Sequence, residues 1–134
     1  FNYRLPNLNA ALGVAQLEQL DARLDQKREL FFAYEKAFQE VKGVQLLRAP
    51  DGSVSNNWLV TLIIDRAYSG ERDHLLQVLN EEGIMTRPVW TPMHRLDMYM
   101  KNPRADLSSA EDLETRVLNI PSSAYLGIRG RAAL

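Results

Sequence analysis

An apolar repeat at helical spacing, sustained from Leu8 to Val41, limits what this chain can fold into more than any other feature. Leu8, Ala11, Leu12, Ala15, Leu20 and Leu24 recur every three or four residues, and Phe31, Tyr34, Phe38 and Val41 carry the pattern on to Lys42-Gly43. One helix of that length is unusual in a small domain. The pattern predicts two helices with a break around Leu20 to Asp25, both packed on something larger. Pro6 restricts the approach and Asn7 can cap the first helix. Gly13 costs roughly 1 kcal/mol inside a helix, which suggests close helix packing, such as a meeting of two subunits.

The remainder reads as a small sheet with helices. Val44 to Leu47 is a short strand candidate, and Pro50-Asp51-Gly52-Ser53 a turn. Trp58 to Ile64 is a stronger strand, nearly all apolar and therefore able to be covered on both faces. Glu71 to Glu82 fits a helix with Leu75, Leu76 and Leu79 inward and Gly83 as its stop. Ile84 to Thr86 returns to strand. A further helix is expected from Ser109 to Val117, then a tight loop or short extended piece at Asn119 to Ser123. The class is α+β, with Leu12, Leu17, Leu20, Phe31, Phe38, Leu59, Leu62 and Leu76 supplying much of the burial.

Composition narrows the chemistry. The 134 residues suit one domain, and 46% apolar with 25% charged is near the globular norm. Sixteen basic against seventeen acidic residues give a net charge of -1, with no overall attraction to nucleic acid or an anionic membrane. Without cysteine there is no disulfide, thiolate nucleophile or cysteine-ligated metal. No apolar run approaches a membrane span. The start at Phe1 and the stop at Leu134 read as cuts within a longer polypeptide, although a processed chain would begin the same way.

Several mechanisms lack their parts. His74 and His94 are the only histidines, too few for a histidine-based metal cluster. No dinucleotide or phosphate-binding glycine loop occurs, and no serine sits in a nucleophile elbow. Lys27, Lys36, Lys42 and Lys101 all have polar sequence neighbours, unlike a lysine tuned for Schiff-base work. Polar and aromatic groups instead gather at Arg87, Trp90, His94, Arg95 and Tyr99, among prolines, in a segment that reads as a binding loop. Arginine recognises phosphate through a planar fork, and Arg4 and Arg87 stand outside obvious surface charge runs. His74 reads as solvent-facing. His94 reads equally well as a surface residue or as a functional one.

Three stretches carry a family likeness. Phe1-Asn2-Tyr3-Arg4-Leu5-Pro6 with Asn9 to Leu17, Thr86 to His94 with Tyr99 after it, and Leu118 to Ser123 resemble, in that order, landmarks of the DegT/DnrJ sugar aminotransferases. The resemblance leans to the branch that acts on UDP-linked 4-keto-6-deoxy-N-acetylhexosamines, of the bacillosamine and legionaminic acid type. Asp97 departs from the proline of many relatives, which loosens the placement of the loop.

What the resemblance implies is the C-terminal portion of a fold-type I enzyme dependent on pyridoxal 5'-phosphate (PLP). Residues 1–42 would end the large domain and supply connecting helices, and 43–134 would form a small, truncated C-terminal domain. The complete cytoplasmic homodimer would convert a 4-keto to a 4-amino nucleotide sugar with glutamate as donor, its sites shared across the interface. Asn2 resembles the contact that reaches across the dimer to the partner's cofactor phosphate, and Arg4 the neighbouring arginine of that cofactor-binding site, in contact with the cofactor or the nucleotide-sugar phosphate. Arg87, His94 and Tyr99 resemble substrate-loop residues. The cofactor lysine would lie upstream, so this chain alone would hold no PLP covalently and be inactive. Two alternatives remain: a stand-alone module binding an anionic metabolite, and a self-association domain.

Overall fold

The computed structural model describes residues 4–127. Helix α1 spans Asn7–Leu17 and α2 spans Leu20–Phe38. The break falls at Glu18-Gln19, just ahead of the expected window. Asn7 is the first helical residue; Pro6 occupies the cap position, and no side chain caps α1. Proline suits a helix start because the missing N–H would lack an intrahelical partner there anyway.

Strands β1 (Val44–Leu46), β2 (Val60–Ile64), β3 (Arg87–Pro88) and β4 (Val117–Ile120) form one sheet in the order β1-β2-β4-β3, every neighbouring pair antiparallel. Helix α3 (Arg72–Glu81) follows β2 after a 3-10 turn at Arg66–Glu71, and α4 (Ser108–Glu114) precedes β4. Two expectations are corrected here. Ile84 to Thr86 is not a strand; pairing begins one residue later, at Arg87. Residues 117–120 form a central strand slotted between β2 and β3: Val117 does not end the helix, and of the two readings of the Asn119 segment the extended one holds. Gly83 does end the preceding turn, at φ 78, a left-handed value that a side chain would resist.

Alternation along β2 buries Val60, Leu62 and Ile64 on one face. They join Leu118 and Ile120 of β4 in a core against which Phe31, Tyr34 and Phe38 of α2 and Leu75 and Leu76 of α3 pack. Hydrogen bonds then pin α2 down: Tyr34 Oη donates to the Pro121 carbonyl at 3.0 Å, and Lys27 Nζ to the Ser122 carbonyl at 2.5 Å.

Helix α1 departs from the expected burial. None of its residues is buried, and Leu8, Leu12 and Leu17 are 80%, 62% and 68% exposed. Leu20, expected in the core, is also exposed. A Cβ at Gly13 would meet nothing within 4 Å, so no part of the described chain packs closely there. Leu8 and Leu12, one turn apart, expose a side of the helix that another protein surface normally covers.

One buried cation ties α4 to the sheet. Arg116, only 8% exposed, donates from Nη1 to the Ile64 carbonyl at 2.6 Å and from Nη2 to Asp112 at 2.5 Å. Hydrogen bonds from Arg116, then from Arg66, hold the Asp112 carboxyl down to about 2. Its folded pKa therefore lies below the unfolded value of about 3.9, so the stability it contributes is complete above about pH 4 and fades as pH falls toward 2. We expect the urea midpoint to fall between about pH 5 and about pH 2, and to fall less in Asp112→Asn. An equal acid loss in both proteins would contradict this origin.

Candidate functional site

The binding loop is set by what holds its start. Asn80, near the end of α3, donates from Nδ2 to the Thr86 carbonyl and hydroxyl, at 3.1 and 2.9 Å, and its Oδ1 accepts from the Thr86 N–H at 3.2 Å. Thr86 is thereby buried, and the chain leaves it as the edge strand β3. Pro88 is tolerated at that edge because it has no N–H to offer a ladder.

Arg87 opposes Asn119 of β4, which opposes Thr61 of β2. Strand alternation puts this row on the face opposite Leu62 and Leu118. The Thr61 hydroxyl donates to Asn119 Oδ1 at 2.8 Å. Arg87 is exposed and, among the described residues, makes no hydrogen bond or ion pair, so its fork of donors is open to an anion. Beyond it, Trp90 stacks on Trp58 with centroids 6.2 Å apart, and both rings remain exposed.

The chain then turns through two short 3-10 segments, Met93–Arg95 and Asp97–Tyr99. Two acidic residues of α4, three apart, fasten it. Glu111 bonds His94 Nε2 at 2.8 Å, and Glu114 pairs with Arg95. A cavity of about 580 Å³ lies between loop and helix, lined in part by His94, Tyr99, Asn102, Arg104 and Leu107. His94 and Tyr99 are thus brought together. Arg87, grouped with His94 in the sequence reading, does not line this cavity; it belongs to the polar row on the sheet. Arg104 and Glu111 carried no family signal and were missed; Glu111 is an exposed helix residue that nothing in the sequence sets apart.

Arg4 is exposed just before α1 and unpaired among the described residues, while Asn2 lies outside them. Lys27 corrects the sequence reading of the lysines. Its amine is partly desolvated, which lowers its pKa, and it is held by the carbonyls of Ser122 and Trp58. Sequence neighbours could not reveal this, because the carbonyls come from segments 31 and 95 residues away. Both bonds are to main chain, so Lys27 works as a staple. Lys36, Lys42 and Lys101 are exposed. Arg4 and Arg87 present open guanidinium donors of the kind that suits a phosphate group. No group of three or more histidine, aspartate and glutamate residues among the described residues could hold a metal ion. No described helix is long and apolar enough to cross a membrane.

Residues 1–128 match the DegT/DnrJ/EryC1/StrS aminotransferase family. The chain is 37% identical over 129 residues to EpsN of Bacillus subtilis, whose name assigns it provisionally to the pyridoxal phosphate-dependent aminotransferases; the match covers 93% of this chain and 33% of EpsN. It is 36% identical over 122 residues to GDP-perosamine synthase of Escherichia coli O157:H7, covering 91% of this chain and 32% of that protein. The solved structure of Helicobacter pylori PseC, an aminotransferase of pseudaminic acid biosynthesis, superposes with a TM-score of 0.84 at 23% identity, over 92% of this chain and 34% of PseC. That identity speaks to fold alone. The chain spans about a third of the length of the relatives it matches.

Proposed function

This chain belongs to the DegT/DnrJ/EryC1/StrS aminotransferase family, and from that premise we propose that it is the substrate-facing, phosphate-binding part of a PLP-dependent nucleotide-sugar aminotransferase. The whole enzyme converts a nucleotide-linked 4-keto-6-deoxy sugar, UDP-linked in this reading, to the 4-amino sugar. Glutamate is the amino donor, the enzyme is a homodimer, and the reaction takes place in the cytoplasm. The family match over residues 1–128 carries the reading. The exposed leucines of α1 support it, since they fit a helix made to be covered by a second domain or subunit.

Each group has a part that its chemistry suits. Bound PLP would supply the electron sink for breaking and making bonds at the amino-bearing carbon. Asn2 and Arg4 hold a phosphate through an amide donor and a guanidinium fork, and neither needs to exchange a proton to do so. Arg87 neutralises part of the nucleotide diphosphate from the sheet edge. His94 and Tyr99, sharing one cavity, orient the sugar. The proton shuttle belongs to a lysine outside this chain.

The test uses the full-length enzyme with PLP, a UDP-linked 4-keto-6-deoxy-N-acetylhexosamine and glutamate, followed by mass spectrometry of the sugar. We expect formation of the amino sugar, and a fall in kcat/KM of roughly tenfold or more for Arg87→Ala and for His94→Ala. Protein that retains PLP yet leaves both this sugar and its GDP- and dTDP-linked counterparts unchanged would contradict the reading. Retention of anionic metabolites without any turnover would favour a binding module instead.

A further inference from the structure

We propose that Glu111 is the positioning residue for His94, fixing the ring tautomer so that His94 meets its ligand as a hydrogen-bond acceptor at Nδ1. This rests on the reading of His94 as a substrate-loop residue and makes it more specific. The ligand group facing His94 is then a donor, a sugar hydroxyl or amide N–H, and not a diphosphate oxygen.

The geometry supplies the reasons. An ionised carboxylate has only acceptor atoms, so the 2.8 Å contact between Glu111 Oε1 and His94 Nε2 places the hydrogen on Nε2. In a neutral imidazole the other nitrogen then carries a lone pair. Among the described residues no hydrogen bond reaches Nδ1, whereas the His94 side chain as a whole is only 10% exposed. An acceptor with no partner among the described residues, on a ring that lines a cavity of about 580 Å³, is matched by a ligand that brings a hydrogen.

The second ion pair separates this role from simple attachment. Glu114, three residues on from Glu111 in α4, holds Arg95 and so anchors the adjacent backbone without touching the imidazole. Removing Glu111 therefore leaves the loop fastened while freeing the ring. Arg87 on the sheet edge, and Arg104 in the cavity lining, which spends only Nη1 on the Met100 carbonyl at 3.3 Å, are the groups chemically suited to phosphate.

Two linked measurements test the proposal. In the 134-residue chain labelled with 15N-histidine, at about pH 8, where histidine is ordinarily neutral, long-range 1H–15N spectra should show His94 with a pyrrole-like Nε2 and a pyridine-like Nδ1. Glu111→Gln, which keeps an acceptor oxygen, should preserve that pattern; Glu111→Ala should lose it with the fold intact by circular dichroism. In the full-length enzyme, Glu111→Ala should lower kcat/KM roughly tenfold. Glu111→Gln should restore most of it, and Glu111→Ala should add little to a His94→Ala background. A proton on Nδ1 in the unaltered chain overturns the proposal. So does an impaired His94→Ala enzyme beside an unimpaired Glu111→Ala enzyme, which leaves the substrate reading intact. Unimpaired His94→Ala overturns the substrate reading itself and reduces the pair to a structural contact.

Discussion

Leu118→Ala should lower folding stability by about 2–5 kcal/mol, the range for emptying a fully enclosed leucine site. Leu118 is 0% exposed at the middle of β4, between β2 and β3, and touches the cluster of Val60, Leu62, Ile64 and Ile120. The surrounding side chains come from two helices and the sheet, and cannot all relax into the space left by the removed atoms. Leu12→Ala is the matched control: the same atoms are lost, but from a residue 62% exposed, so the change should stay within about 0.5 kcal/mol in this chain. Urea midpoints of the two variants measure the difference. Equal losses would mean that α1 packs on the core and that β4 is not its centre.

That contrast also marks where the amino-acid sequence was informative. The α2 face, β2 and α3 were legible because each has enough residues to display a period: Phe31, Tyr34 and Phe38 in one case, and Val60, Leu62 and Ile64 in another. Strand β4 was legible only in part: an extended piece was open at Asn119, but the strand is four residues long and buried on both faces, Val117 as well as Leu118, so no alternation distinguishes its start from a helix end. Asn119 deepened the disguise, since it looks like a loop residue until Thr61 is found beside it. Burial on α1 was left open for another reason: periodicity says which residues are apolar, never whether their cover lies in the same chain, so the helices could be expected only to pack on something larger.

For the site, the loop itself was legible and its supports were not. Arg87, His94 and Tyr99 stand out as residue types in one segment. The groups that fix them, Asn80 at Thr86 and Glu111 at His94, come from helices whose registry with the loop exists only in three dimensions. The pair of stacked tryptophans likewise joins positions 32 residues apart, as 90 minus 58 shows.

The second large effect concerns the shared site. If Asn2 reaches the cofactor phosphate of the opposite subunit, Asn2→Ala in the full-length enzyme should weaken PLP retention well beyond any change in folding stability. Loss of one buried charge-assisted contact costs about 2–5 kcal/mol, roughly a 30-fold to several-thousand-fold rise in the dissociation constant, less where water takes the vacated place. Arg4, exposed and unpaired among the described residues, should show the same selectivity for cofactor over stability. Equilibrium dialysis with PLP, set beside denaturation of the apo form, separates the two quantities.

Complementation between two crippled homodimers tests the division of labour most directly. One carries Asn2→Ala; the other lacks the lysine that the proposed reading places upstream to hold PLP. Each heterodimer then has one site in which an intact lysine from the first chain faces an intact Asn2 from the second. Mixed subunits should therefore recover amino transfer that neither homodimer performs well. No recovery in verified heterodimers, together with unchanged PLP affinity in the Asn2 variant alone, would contradict the account.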